Sequence, residues 1–363
     1  MHQLPLPGSN SDEREYARLS AANVGRDLIE RERNRDFRIE SVSKAARMPF
    51  PINHIGWMNA STDARTASAH SAGALFSGAG GDPLFFEFRR WWPAADYLRN
   101  KGIDFGFAAA ALDAARLRRV SVWKGAALAW AELVRPRVVA RESASESGGF
   151  FGKGLRQLEP QDARFVHPHL MSPNLPVGKH MQTASLMHPL GHYDPFEREA
   201  APELVNPLLS QPLVDLCLGL PTYLLTQGGR GRALARQAFA AELPVQIAAR
   251  RSKGGMEEHL KEILNSNMEF ARHTLLNGEL VRRGLLDRAA VEAVLSATPT
   301  ALRGSLGHVH TFIGIELWLG RWGAVAVDDS HKRTARMSSP VNVAAVLHAL
   351  RSDIDRQLHG GSE

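Results

Sequence analysis

The sequence predicts an α/β layer followed by a helical layer around one continuous core. Three observations carry this reading. A short apolar run, Ala72-Gly-Ala-Leu-Phe76, feeds directly into a glycine-rich turn, Ser77-Gly-Ala-Gly-Gly-Asp82. An apolar strand ending in such a turn is how open α/β sheets build anion sites at the carboxyl ends of their strands. In the second half, apolar residues recur at helical spacing, most clearly Leu260, Ile263, Leu264, Met268 and Leu275. The 363 residues are 44 % apolar and 23 % charged, ordinary globular composition with enough apolar surface for a real core.

Taken in order, the first helix is expected to start near Ser11. Asp12 and Glu13 put negative charge in its first turn, where the helix dipole favours it. Tyr16, Leu19 and Val24 form its apolar stripe and Gly25 is its stop. Residues 26–60 are rich in charge and broken at Pro49-Phe-Pro51, and a short strand or two is expected there. After the glycine turn, two long helices are expected between Asp96 and Val134. Residues 141–155 form a Ser/Gly-rich break, read either as a surface loop or as a lid over a site. Further helices are expected over Arg232–Ala241, over Met256–Asn277 with Gly278 as C-cap, from Asp287 to Leu295, over Phe312–Trp322, and after Pro340. No internal repeat occurs.

Composition excludes several classes. The formal charge of +6 suits an anionic ligand without diagnosing one. The arginines are scattered, with no basic run interleaved with aromatics, so nucleic-acid binding is not expected. The single cysteine, Cys217, precludes an internal disulfide and a Cys-rich metal site, and its apolar surroundings read as a small buried hydrophobe. No charged n-region leads into an apolar core and no window approaches a membrane span, so a cytoplasmic location is expected and no membrane partner. His167, His169, His180, His188 and His192 lie close in sequence but are split by prolines with no helical i, i+4 pair, so they are not read as zinc ligands. His308 and His310 read as packed or capping residues.

Two segments can carry chemistry. In Ser77-Gly-Ala-Gly-Gly-Asp82, three glycines let backbone N–H groups approach an anion, and Asp82 can hold Mg²⁺ when phosphates supply the other ligands. On the residues alone this is either an anion cradle or a tight turn without a ligand. In Arg251-Ser-Lys253-Gly-Gly255, a Lys and an Arg beside glycines suit an anionic intermediate or a leaving pyrophosphate; spacing alone equally allows a solvated basic turn.

These segments occur in an ordered series: Phe76-Ser-Gly-Ala-Gly-Gly-Asp-Pro-Leu-Phe85, Pro207-Leu-Leu-Ser-Gln-Pro-Leu-Val-Asp215, Leu220-Pro221, Gly228-Gly-Arg-Gly-Arg232 to Arg236, Leu243-Pro244 and Arg251-Ser-Lys-Gly-Gly255. The series resembles the synthetase domain of the asparagine synthetase family, from about Asp12 to Trp322. Within it, Trp92-Pro-Ala-Ala-Asp96, Pro207-Leu-Leu-Ser-Gln-Pro212 and Gly284-Leu-Leu-Asp-Arg288 are similar to the lasso-peptide macrolactam cyclases. The resemblance implies an adenine-nucleotide alpha-hydrolase-like (PP-loop ATPase) parallel sheet. It also implies ATP and Mg²⁺ as cofactors: a carboxylate is adenylated, pyrophosphate leaves, and an amine attacks to form an amide. Ser77, Gly78, Gly80, Gly81 and Asp82 would line the nucleotide site, with Asp82 on the metal, and Lys253 with Arg251 would meet the anionic centre.

Two departures qualify the resemblance. The family's phosphate loop, Ser-Gly-Gly-x-Asp-Ser, occurs nowhere in the sequence. The first strand and its loop are therefore expected to be missing, as is the glutaminase-like domain, and weak ATP binding follows for the chain as written. Asparagine synthetases carry an acidic residue where this chain has Ala79, which speaks against asparagine synthesis. Three readings result: a macrolactam cyclase acting on a ribosomal precursor peptide, with a precursor protease and a recognition protein as partners; a glutamine-hydrolysing asparagine synthase; or a non-catalytic fragment that binds a peptide or partner. The expected organisation is a partial nucleotide-binding part over 1–135, a flexible loop over 136–160, the helical part over 161–335, and a C-terminal helix and tail over 336–363.

Overall fold

The computed structural model describes residues 2–4, 12–34, 36–45, 51, 54–134, 150, 170, 172, 174–187, 202–251, 254–255, 257–297 and 305–330. Among them the structure is α/β and mostly helical, with two short pieces of parallel sheet. Strand β1 (His2–Leu4) pairs in parallel with β2 (Glu30–Glu32), and helix α1 (Arg14–Asn23) lies between them in the chain. His2–Leu4 thus supplies a strand ahead of α1, while the Ser-Gly-Gly-x-Asp-Ser phosphate loop is not found in the sequence. Gly25, at φ +61°, stops α1 as its position predicted.

The segment read as one or two strands holds β2 and then turns helical. A 3-10 turn at Ile39–Ser41 leads into α2 (Val42–Ala45), and α3 (His54–Ala69) follows. The apolar run at 72–76 is strand β3 (Ala74–Phe76), paired in parallel with β4 (Glu203–Val205), Leu75 opposite Leu204. The glycine loop leaves β3 and enters the single turn α4 (Gly81–Leu84).

Three helices, not two, fill the next stretch: α5 (Trp92–Lys101), α6 (Phe105–Arg118) and α7 (Val122–Val134). Gly102 at φ +81° ends α5, and the Asp104 carboxylate accepts from Phe107 N at 2.9 Å to start α6. Buried Ala94, Ala95, Ala110, Ala114 and Ala129 let the three axes approach closely. Helix α8 (Val177–Leu186) packs on α4 and α5. After β4 come a 3-10 turn (Pro207–Leu209), α9 (Gln211–Gly219), which buries Cys217, α10 (Thr222–Leu225), α11 (Ala233–Ala238) and α12 (Val245–Ala249).

The helical layer comprises α13 (Glu257–Ser266), α14 (Met268–Leu276), α15 (Glu279–Arg282), α16 (Arg288–Leu295) and α17 (Leu306–Ser330). The helix expected over 256–277 is divided at Asn267. Its amide donates to Phe37 O and Ile263 O, both at 2.8 Å, and its oxygen accepts from Ile39 N at 3.1 Å. These bonds compete with helix continuation. Gly278 is not a left-handed cap; at φ −79° it leads into α15. Asp287 caps α16 as expected, accepting from Ala290 N at 3.0 Å. Phe37, Ile39 and Val42 enter the same core as Ile263, Leu275 and Ile313, so the stretch around the 39–41 turn is packed into the helical layer. His308 and His310 are both buried there, the first against Phe150 and Phe312 and the second against Leu260 O.

Residues 136–160 apart from Phe150, the C-terminal segment 336–363, His167, His169, His188, His192 and Lys253 lie outside the described residues. Among the described residues no helix is long and apolar enough to cross a membrane.

Candidate functional site

The glycine loop is fixed first by main chain. Ser77 N donates to Val205 O at 2.9 Å, carrying the β3–β4 ladder one residue into the loop. The Ser77 hydroxyl oxygen accepts from Ala79 N at 3.0 Å, and the hydroxyl donates to Asn206 Oδ1. Ser77 therefore ties the loop to the residue that precedes the 207–209 turn.

The glycines have different reasons. Gly80 sits at φ +82°, and a Cβ there would lie 2.2 Å from Leu209 Cδ2; at Gly81 it would lie 2.9 Å from Leu208 Cδ1. Those two are demanded by backbone conformation and by the apolar turn packed on them. Gly78 faces open space, and among the described residues neither its N–H nor that of Gly80 makes a hydrogen bond.

Asp82 lies in α4 with its side chain 45 % exposed, 3.6 Å from the Arg232 guanidinium. Arg232 Nε also donates to Glu87 at 2.9 Å. A Cβ at Gly231 would lie 2.3 Å from the Glu87 carboxylate, so a larger residue there would displace Glu87 from Arg232. Burial works against the charge of Arg232, but Glu87 and Asp82 more than offset it and hold its pKa above the ordinary value. Arg236 donates to Ile247 O at 2.6 Å; burial and the neighbouring Arg232 push its pKa below the ordinary value. Arg230 donates to Ala248 O. The arginines after α10 thus brace the chain that leads to residue 251.

That chain reaches the glycine loop from the other side. Arg89, seven residues beyond Asp82 in sequence, donates to Arg251 O at 3.4 Å. Glu13, at the start of α1, accepts from Arg250 Nη2 at 2.5 Å and from Gly254 N at 3.0 Å. The Arg250 guanidinium stacks on the Tyr16 ring at 4.1 Å. Contacts thus run from Asp82 through Arg232 and its neighbouring arginines to the 247–251 stretch, and from that stretch through Glu13 to the start of α1. Lys253 lies between described neighbours but outside the described residues.

The sequence reading missed what holds α4 in place. Asp96 was noted only as the end of a motif. It is 1 % exposed and accepts from Gly178 N (2.9 Å), Lys179 N (3.2 Å) and Thr222 Oγ1 (2.7 Å). Burial raises its pKa to about 6 against the lowering by these donors. Burial lowers the pKa of Lys179 to about 8, and its ammonium donates to Gln182 Oε1 (2.6 Å) and Cys217 O (3.1 Å). Gln182 Nε2 donates in turn to Leu84 O at 2.8 Å, so the network ends on the helical turn that carries Asp82. The only sequence signal was an acidic residue beside a run of small apolar ones.

Glu13 and Arg232 were also unassigned by role. Among the described residues no three His, Cys, Asp or Glu side chains gather as a metal site. Comparisons with known proteins agree with the geometry where they speak. Searches of curated proteins and of solved structures give no match. A sequence model of the family described as asparagine synthase matches residues 5–320. That span holds the glycine loop, the arginine-rich turn and both layers, and the chain belongs to the asparagine synthase family.

Proposed function

We propose that the chain activates a carboxylate with ATP and passes the acyl group to an amine, and that its substrate is a ribosomal precursor peptide closed into a macrolactam. The observation that carries the ligase reading is the chain of contacts that ties Asp82 at the end of the glycine loop, through Arg232 and its neighbours, to the stretch leading into Arg251 and the start of α1. The residues present fit a nucleotide's phosphates. The Gly78 and Gly80 N–H groups make no hydrogen bond among the described residues, Gly78 faces open space, and Arg232 adds positive charge beside Asp82. Asp82 is the residue that would hold Mg²⁺, with other ligands from phosphate and water, because no second acidic ligand set lies among the described residues. A cation there would neutralise charge that grows as pyrophosphate leaves.

The protein's own groups do the rest. Arg232 shares its charge between Asp82 and Glu87 and so orients the Asp82 carboxylate. Arg251 and, in this reading, Lys253 stabilise the activated carboxyl. Ala79 supports a peptide amine over ammonia as acceptor, since the acidic residue that asparagine synthetases carry there is replaced by a methyl group. The acyl group would come from an Asp or Glu side chain and the amine from the peptide's own N-terminus.

The test is mass spectrometry of candidate precursor peptides incubated with the protein, ATP and Mg²⁺, beside a parallel assay of aspartate with ammonia. Loss of one water from the peptide, with release of pyrophosphate, is the expected result. Asparagine in the parallel assay and an unchanged peptide would instead support the synthase reading. Lys253→Met is expected to lose at least ~100-fold in turnover at an unaltered melting temperature, about 2.7 kcal/mol of transition-state stabilisation. Near wild-type turnover for that variant removes Lys253 from the site.

A further inference from the structure

We infer that Glu13 is a positioning residue, a carboxylate clamp that fixes the turn after α12 against the start of α1. The inference rests on the ligase reading for the turn's purpose, but the clamp itself stands on contacts within the protein. One oxygen, Glu13 Oε1, receives both Arg250 Nη2 at 2.5 Å and Gly254 N at 3.0 Å. These two donors bracket residues 251–253, so a single carboxylate fixes both ends of the segment that the sequence reading singled out.

Three further contacts point to the same role. Gly254 is moulded to this carboxylate: a Cβ there would lie 2.8 Å from Glu13 Oε1 and 3.0 Å from Glu13 Cδ. A larger residue at 254 would push the Glu13 carboxylate aside. Arg250 is held from its other face by the Tyr16 ring, one helical turn along α1 from Glu13. At the far end of α1, Asn23 Nδ2 donates to Glu242 O at 2.7 Å. Helix α1 thus lies along the chain from 242 to 254 and ends on the Glu13 clamp.

The Glu13 side chain is 38 % exposed, and that of Arg250 14 %. The clamp is therefore partly shielded, and two N–H donors converge on one charged oxygen, the arrangement in which hydrogen bonds are strong. Arg33 and Arg232 also place positive charge toward Glu13. The function of Glu13 is to set geometry, since small displacements of a reacting group are costly in rate.

The test compares Glu13→Ala and Glu13→Gln with the wild type in the full chain. The first readout needs no substrate: amide hydrogen exchange of the peptide covering 250–255. Glu13→Ala should exchange at least ~10-fold faster there, with the core peptides of α13 and α17 unchanged. Glu13→Gln, which keeps an acceptor oxygen, should fall between. The second readout is steady-state ligation: kcat should fall by about 10-fold for Glu13→Ala while KM for ATP changes less than about threefold. Unchanged exchange over 250–255 overturns the clamp. Faster exchange with unchanged kcat overturns its role in the reaction. If the wild type makes no amide bond with any acceptor, the ligase reading fails and with it the catalytic purpose; the exchange result still decides whether Glu13 holds the turn.

Discussion

Two aspartates fourteen residues apart divide the labour in this protein. Asp82 is nearly half exposed and lies 3.6 Å from the Arg232 guanidinium. Asp96 is sealed at 1 % exposure and receives two backbone N–H groups and a hydroxyl. The first is reachable by a ligand from solvent. The second has spent its lone pairs on α8 and α10, and its raised pKa, near 6, shows what burial costs the ionised form. The contrast teaches that exposure separates the two roles: a carboxylate that solvent reaches can meet a ligand, whereas a sealed one builds the wall behind the site.

The largest expected effect breaks the contrast from the Asp82 side. Asp82→Ala should lower turnover at least ~100-fold, about 2.7 kcal/mol in activation free energy, because it removes the one carboxylate placed for a cation at the glycine loop. Stability should change by less than about 1 kcal/mol, since an exposed ion pair contributes little. Steady-state kinetics and thermal melting, run together, check both halves. A variant that keeps more than about a tenth of wild-type turnover puts the metal elsewhere.

Asp96 should behave in the opposite way. Asp96→Ala strands two N–H groups and a hydroxyl in a buried cavity and should cost about 3 kcal/mol of stability. Asp96→Asn keeps the shape but turns its amide N–H toward either Gly178 N or Lys179 N, and should cost about 1–2 kcal/mol at pH 8, less than Asp96→Ala. The pH dependence identifies the cause. The folded pKa near 6 lies above the ordinary value of 3.8, so the folded state holds this proton more tightly than the unfolded one. The carboxyl's favourable contribution is complete below pH 3.8 and is lost as pH rises through 6. The span is worth roughly 3 kcal/mol at most. Buried His259 and His310, both held neutral down to about pH 4 by desolvation, contribute the opposite slope on acidification. Subtracting wild-type from Asp96→Asn denaturation curves removes that background. A difference that is flat between pH 4 and 8 contradicts the assignment.

The contrast also marks what could be read from sequence. The glycine loop was legible because it is local: a strand, a left-handed glycine and a short helical turn follow one another in the chain. The Asp96 site was not, because its donors come from residues 178, 179 and 222, which only the fold brings to α5. The same holds for Glu13, whose partners lie more than two hundred residues away in α1's neighbour chain. The division of the helix at Asn267 was hidden differently. Its apolar spacing is unbroken on either side, and only the bonds to Phe37 and Ile39 turn one helix into two. The three-helix group after the loop was undercounted although its signals, Gly102 and Asp104, stand in the sequence.

The smallest expected effect sharpens the Asp96 side. Thr222→Val keeps the shape of a fully buried residue and removes one of three donors to Asp96. A hydroxyl bond to a neutral acid contributes about 1 kcal/mol, and one to an ionised carboxylate roughly twice that. The cost of Thr222→Val should therefore depend on pH. At pH 5, below the Asp96 pKa of about 6, the acid is mostly protonated and the variant should lose only about 1 kcal/mol. At pH 8 the carboxylate is ionised and the loss should approach 2 kcal/mol. The direction follows from linkage as well. The Thr222 bond lowers the Asp96 pKa, so its removal raises the folded value further and extends the pH range over which stability is lost. Urea denaturation of the wild type and Thr222→Val at the two pH values measures the difference directly. Equal costs at pH 5 and pH 8 would mean that the hydroxyl does not sense the charge on Asp96, and the buried carboxylate would then be held by the α8 backbone alone.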